Sequence, residues 1–141
     1  MPSRMTPSGF HHVAVQVRDV ERVAAFYARV LGLTELRRFL REDGALRSVW
    51  LSVGGAGGFL AVESLPEAPV GAEVGFSMVA LRIDAAARGL VLEELARAGV
   101  PVVKQTAWTL YVKDPEGNLV GLSHHPDDAE VGAGAPDATA G

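Results

Sequence analysis

Apolar and polar positions alternate in two segments of this chain, and the two segments resemble each other. Residues 12–17 read His-Val-Ala-Val-Gln-Val and residues 78–83 read Met-Val-Ala-Leu-Arg-Ile, with bulky apolar side chains at every second position. This period is typical of a strand whose two faces meet different surroundings. Each segment is followed by an Asp and then by a helix-forming stretch that ends at a Gly (Asp19 and Gly32; Asp84 and Gly99). The chain is therefore predicted to contain two copies of one supersecondary unit.

The same patterns predict the element order β-α-β-β-β in each copy. In the first copy, a helix capped by Asp19 covers about residues 20–31, and strands cover 33–40, 46–53 and 58–64. In the second copy, a strand over 75–83 leads to a helix within 85–98, with further strands at 102–105, 108–113 and 118–124. The predicted fold class is α+β, in which the two units form a curled mixed sheet around a central cavity.

Changes in composition mark the predicted ends of the folded region. Residues 1–8 are expected to form a flexible leader, residues 9–125 a single domain, and residues 126–141 a disordered acidic tail. Within the domain, prolines and a glycine mark residues 65–73 as a linker. This linker separates unit one (9–64) from unit two (74–125).

Charge and composition exclude several classes of function. The tail carries four acidic residues and no Lys or Arg, and the rest of the chain has 13 basic and 13 acidic residues, so no basic stripe is available for nucleic acid. The absence of cysteine excludes disulfides, thiolate catalysis and sulfur-ligated metal sites. No apolar run approaches the roughly 18 residues that a membrane span requires. We therefore predict a cytoplasmic protein without nucleic-acid or membrane partners.

Three motifs resemble the vicinal oxygen chelate superfamily, which includes glyoxalases, bleomycin-resistance proteins and extradiol dioxygenases. They are His12-Val-Ala-Val-Gln-Val with Asp19, Phe26-Tyr27-Ala-Arg-Val-Leu-Gly-Leu33, and Asp114-Pro115-Glu116-Gly117-Asn118. The resemblance covers about residues 9–125 and implies the glyoxalase/bleomycin-resistance fold. It also implies a cavity in which enzymes of the family hold a divalent metal ion, and a chain that forms homodimers.

The resemblance assigns four positions of this chain to metal ligands, where the family usually has His and Glu. They are His12 and Met78 on the first strand of each unit, and Ala61 and Gly121 on the last strand. Only His12 is a retained family ligand. Because a hard divalent ion prefers several oxygen or nitrogen donors, no metal is expected at the usual site. A divalent metal in a rearranged site stays open as an alternative, held by His12 and Glu63 with or without His125.

Strand parity predicts which side chains face the cavity. His12 and Gln16 on the first strand should share the inward face with Met78 and Arg82 of the second unit. For His12, a buried structural role is weighed against proton transfer, and for Glu63, a solvated position at a strand end is weighed against a general base. His11 is expected at the edge of the helix-facing side, and the pair His124 and His125 is expected at the surface.

Aromatic residues supply the candidate ligand contacts. Trp50 and Tyr111 occupy matching positions in the two units and, with Phe59 and Met78, are expected to wall the cavity. Filling of the core by the three aromatic residues is the competing interpretation. Arg82 is expected either to bind an anionic group of a ligand or to form a salt bridge at the rim.

These observations predict a small-molecule-binding protein that lacks most of the usual metal ligands and binds a hydrophobic or aromatic compound. The predicted ligand-binding residues are Trp50, Phe59, Met78, Tyr111 and Arg82. The alternative is a metal-dependent lyase, isomerase or dioxygenase with His12 and Glu63 as catalytic residues, so the sequence does not decide whether the protein is an enzyme. A purely structural partner domain, with a cavity filled by side chains, is the third hypothesis.

Overall fold

A computed structural model describes residues 10–55, 57–67 and 78–128 of the chain. The chain divides into two compact units, Met1–Ala68 and Pro69–Gly141. The predicted leader, most of the predicted linker and residues 129–141 of the predicted tail lie outside the described residues.

The first unit is a mixed four-stranded sheet with one helix. Its elements are β1 (His12–Val17), α1 (Val20–Ala25), β2 (Thr34–Leu40), β3 (Leu46–Ser52) and β4 (Phe59–Ser64). The strand order is β1-β4-β3-β2, in which β1 runs parallel to β4 and the other neighbours are antiparallel. Helix α1 packs on β3 and β4. The apolar side chains of alternating strand positions are fully buried on this helix side (Val17, Val49, Leu51, Leu60 and Val62).

The first helix begins as predicted and then departs from regular α geometry. The Asp19 side chain accepts a hydrogen bond of 3.1 Å from the Arg22 amide, which caps the first turn. The chain then continues as a π-helix over Phe26–Val30. The consecutive residues Phe26 and Tyr27 of this segment are both buried. Gly32, with φ of 76°, ends the helix.

The second unit repeats this architecture. Its elements are β5 (Val79–Arg82), a 3-10 turn (Ala85–Ala87), α2 (Arg88–Arg97), β6 (Lys104–Gln105), β7 (Thr109–Lys113) and β8 (Leu119–Ser123). The strand order β5-β8-β7-β6, with β5 parallel to β8, matches that of the first unit. The predicted fold class is thereby confirmed: two β-α-β-β-β units, each with an unclosed mixed sheet.

Two details of the second unit correct the sequence-based expectations. The strand predicted over 102–105 is only two residues long, and the predicted helix span of 85–98 begins with a 3-10 turn and ends at Arg97. Leu95 is buried as expected, but the other buried residue of the helix is Arg88 at its first position. The buried face of α2 therefore begins with a charged side chain that hydrophobic periodicity does not reveal.

The predicted Asp-Pro-Glu-Gly turn joins β7 to β8 and is organised by one buried carboxylate. Asp114 Oδ1 accepts hydrogen bonds from the amides of Glu116 and Asn118, both at 2.9 Å, and Oδ2 accepts one from Asn118 Nδ2 at 2.9 Å. Gly117 takes a φ of 84°, which glycine adopts without steric cost. No helix among the described residues is long and apolar enough to cross a membrane.

Candidate functional site

Strand register relates the candidate positions of the two units. In the first unit, Ala61 of β4 lies between Ala14 of β1 and Trp50 of β3. In the second unit, Gly121 of β8 lies between Ala80 of β5 and Tyr111 of β7. His12 and Met78 each precede the paired alanine by two residues. The register thus supports the expected equivalence of Ala61 with Gly121 and of Trp50 with Tyr111.

An unbroken line of ring contacts crosses the first sheet on the face opposite α1. The His12 and Phe59 rings stack with centroids 4.8 Å apart and planes within 5°, and Phe59 stacks on Trp50 at 4.3 Å. Trp50 in turn contacts Phe39 at 4.8 Å. We call these four side chains, which come from β1, β4, β3 and β2 respectively, the aromatic row. His12 is exposed and the other three are half-buried, so the row is open to a ligand.

Sequence reasoning identifies three members of the aromatic row and misses Phe39. His12 lies opposite Phe59, and Phe39 lies opposite Ser48, which shares a face with Trp50. Strand parity does not place Phe39 on this face because β2 contains irregularities. The face on which Phe39 lies depends on how β2 pairs with β3, and the sequence around Phe39 does not determine that pairing.

Two β-bulges along β2 and β3 bring arginines to the same face. Glu35 pairs with Leu51 but Arg37 pairs with Trp50, which leaves Leu36 as the extra residue. The pairing of Phe39 with Ser48 and of Leu40 with Leu46 likewise leaves Arg47 as an extra residue. A bulge changes the direction in which side chains point. Both guanidinium groups lie over the Phe39 ring, at 4.8 Å for Arg37 and 5.4 Å for Arg47.

The end of the aromatic row opens into a pocket of about 430 Å³ in the first unit. The residues that line it are two arginines, two aromatic residues, two serines and one acid (Arg37, Arg47, Phe39, Trp50, Ser48, Ser64 and Glu63). The neighbouring Arg38 points to the helix side instead, where its guanidinium bonds Glu21 of α1 at 2.8 Å and Glu35 at 2.9 Å. The hydrogen bond from Arg38 holds the pKa of Glu21 below its usual range.

The structure does not bring the two predicted catalytic residues together. His12 is level with Phe59, whereas Glu63 is level with Gln16, four residues further along the sheet. This offset corresponds to about 13 Å along the strands. His12 is exposed, which corrects the expectation of a buried structural histidine, and its Nδ1 lies 3.0 Å from Nδ1 of the exposed His11. Glu63 is half-buried in the pocket.

The remaining predicted ligand contacts lie in the second unit. A Cβ atom on Gly121 would lie 3.5 Å from Met78 Sδ, so the Met78 side chain occupies the space beside Gly121. Tyr111 is 9% exposed, and the Lys104 ammonium lies 5.6 Å from its ring centroid. Arg82 is exposed and forms no ion pair with any described residue. Of the predicted ligand-binding residues, Trp50 and Phe59 are therefore in contact in the first unit, and Met78, Tyr111 and Arg82 belong to the second unit.

Sequence reasoning also misses a buried arginine in the second unit. Arg88 is 0% exposed, and its guanidinium donates to His124 Nε2 at 2.9 Å, to Gln105 Oε1 at 3.0 Å and to the Thr106 carbonyl at 3.0 Å. Burial lowers the pKa of Arg88 below its usual range. His124 is 1% exposed, which corrects the expectation of a surface histidine pair, whereas His125 is exposed. Among the described residues, no group of three or more His, Cys, Asp or Glu could hold a metal ion.

Comparisons with known proteins agree with this architecture. The family model for the Glyoxalase/Bleomycin resistance protein/Dioxygenase superfamily matches residues 9–122. A comparison with curated proteins gives no match.

Three similar solved structures illustrate the fold. A lactoylglutathione lyase from Agrobacterium tumefaciens has a TM-score of 0.65 and 22% identity, over 84% of this chain and 95% of that one. A genomically encoded fosfomycin resistance protein from Listeria monocytogenes, in complex with Mn(II) and a dihydroxypropylphosphonic acid, has a TM-score of 0.69 and 17% identity, over 84% and 93%. A glyoxalase/dioxygenase from Nostoc punctiforme has a TM-score of 0.67 and 21% identity, over 90% and 99%.

Proposed function

Since the chain belongs to the glyoxalase/bleomycin resistance protein/dioxygenase superfamily, we propose that it is a small-molecule-binding member that holds a planar aromatic compound on the aromatic row. The observation that carries this proposal is the unbroken ring contact from His12 through Phe59 and Trp50 to Phe39. Aromatic surfaces that are half-exposed and already aligned gain contact area from a planar ligand without first reorganising. Met78, Tyr111 and Arg82 remain proposed ligand-binding residues of the second unit.

The side chains at the four positions assigned to metal ligands favour a binding role over the metal-dependent alternative. Similar structures include a fosfomycin resistance protein in complex with Mn(II), so a divalent ion is the cofactor to consider. At the four positions assigned to ligands, Ala61 and Gly121 carry no donor, and Met78 carries a soft thioether. A hard divalent ion requires several oxygen or nitrogen ligands around it, and this set does not fit one. We therefore assign no reaction step to a metal.

The proposal is tested with the uncharged fluorescent probe phenylnaphthylamine, which has fused aromatic rings and no charged group. We expect saturable binding that Trp50→Leu weakens by about tenfold, because the substitution removes the central ring of the row. Trp108→Leu, which changes the tryptophan of the second unit, is the matched control and should leave the affinity unchanged. Absence of binding, or equal affinity of the Trp50→Leu variant, would contradict the proposal.

The metal-dependent alternative is tested in the same preparation. Protein purified without chelators is assayed for bound metal and titrated with Ni²⁺, Zn²⁺, Mn²⁺ and Fe²⁺. Stoichiometric metal that His12→Ala abolishes would favour a lyase, isomerase or dioxygenase over the binding protein. Homodimer formation and a cytoplasmic location remain proposals from the family resemblance and the composition, and sedimentation analysis tests the first of them.

A further inference from the structure

The arginines of the pocket differ from Arg38 of the same sheet in lacking an anionic partner. Arg38 is engaged by two carboxylates. The side chains of Arg37 and Arg47 form no ion pair or hydrogen bond with any residue that the structure describes, and both are exposed. Among the described residues that line the pocket, Glu63 is the only acid. This lining therefore carries one more positive than negative charge.

The positions of the two guanidinium groups are set by the bulged strands. Each bulge turns one arginine toward Phe39, whose ring both guanidinium groups approach. Stacking on an aromatic ring orients a guanidinium group and leaves its N–H donors free to bind an anion. Because Phe39 is also the last ring of the aromatic row, these donors lie where one end of a ligand on the row would be.

From this juxtaposition we infer that the ligand is an aromatic acid: its planar body lies on the aromatic row and its carboxylate, sulfonate or phosphonate group is bound by Arg37 and Arg47. This inference rests on the proposed function and adds the chemical class of the ligand. The arginine pair supplies several N–H donors that suit the oxygens of an anionic group. Glu63 repels a second anionic group near the first, so the site favours ligands with one acidic group at this end.

The test compares two probes with the same ring system. Anilinonaphthalene sulfonate carries one sulfonate group, and phenylnaphthylamine carries none. We expect the sulfonate to bind about tenfold more tightly at low salt, and we expect this advantage to shrink as salt is raised. Equal affinities, or tighter binding of the uncharged probe, would overturn the inference.

Variants assign the preference to the two arginines. In Arg37→Gln/Arg47→Gln, the sulfonate probe should lose its advantage over the uncharged probe. Arg22→Gln/Arg29→Gln, which removes two exposed arginines of the first helix at the opposite side of the sheet, is the charge-matched control and should preserve the preference. If the uncharged probe binds and the double variant retains the preference for the sulfonate, the inference fails and the proposed function stands. If neither probe binds, both fail.

Discussion

Arg88 illustrates how a single side chain can organise a core that the hydrophobic pattern does not describe. Its guanidinium can only donate hydrogen bonds, so His124 Nε2 must accept, and the His124 Nδ1 proton is then donated to the carbonyl of Asp127. Gln105 and Thr106 complete the acceptors. No carboxylate of the described residues pairs with Arg88, so hydrogen bonds to neutral groups alone offset the cost of its burial.

Replacement of Arg88 should destabilise the second unit. Arg88→Met fills similar space but leaves the buried acceptors of His124 and Thr106 without their donor, so we expect the free energy of unfolding to fall by about 2–3 kcal/mol. Urea unfolding followed by circular dichroism measures the change. Arg97→Met, on the same helix, removes an exposed pair with Glu94 and should cost less than about 0.5 kcal/mol. Similar losses in the two variants would contradict the role assigned to Arg88.

At the scale of elements, the glycine-rich connection between β3 and β4 forms a turn and also passes close to His11, the residue before β1. Gly58 has a φ of 85°, and a Cβ atom at this position would lie 2.3 Å from the His11 carbonyl oxygen. The local sequence does not show that the connection also approaches the residue before β1. This contact holds the start of β1, and therefore His12, beside Phe59.

Gly58 and Gly44 form a matched pair for testing this contact. Gly44 has the same φ of 85°, and a Cβ atom added there would meet no other described atom within 4 Å. Gly44→Ala should therefore show only the backbone cost, about 1 kcal/mol. Gly58→Ala adds the collision with His11 and should lower the free energy of unfolding by about 1–3 kcal/mol more. Equal losses in urea unfolding would show that the close approach is unimportant.

The proposed ligand class depends on the bulges in β2 and β3. In a regular pairing, Leu36 would oppose Trp50 and Arg37 would take the helix side of the sheet. The bulge reverses this assignment, so Arg37 reaches the pocket and Arg38 reaches Glu21. The bulge at Leu36 thus places Arg37 in the pocket and allows the ion pair between Arg38 of β2 and Glu21 of α1.

At the scale of the whole chain, the two units repeat one strand register around the positions that the family resemblance assigns to metal ligands. The register pairs Gly121 with Ala80 in the same way that Ala61 pairs with Ala14. A Cβ atom on Gly121 would make only ordinary contacts, at 3.4 Å to Ala80 and Thr109 and 3.5 Å to Met78. A Cβ atom therefore fits at Gly121, and a longer side chain there would need the space that Met78 now occupies.

Restoring donors at these positions should create metal affinity. In Met78→His/Gly121→Glu, an imidazole and a carboxylate are placed side by side, and we expect Ni²⁺ to bind about tenfold more tightly than to the unmodified protein in calorimetric titration. Val79→His/Gly121→Glu puts the imidazole on the opposite face of β5 and is the control. An equal gain in both variants, or none in either, would contradict the geometric equivalence.

The sequence alone determined the features that depend on local preferences. Strand alternation and glycine stops established two β-α-β-β-β units, and the capping role of Asp19 and the Asp114 turn followed from residue chemistry within a few positions. The equivalence of Ala61 with Gly121 came from the family resemblance, with positions counted from these motifs. These predictions held because side-chain period, cap and turn geometry are set by neighbours in the chain.

Only the tertiary structure decided which side chains of distant segments meet. The two bulges, the inclusion of Phe39 in the aromatic row, the two arginines over it and the burial of Arg88 against His124 all depend on pairing between segments. The offset of about 13 Å between His12 and Glu63 likewise became visible only from the register of β1 on β4. The physical reason is that strand register and buried polar contacts are set by the free energy of many residues that are distant in sequence. A pattern of a few neighbouring residues therefore does not determine them.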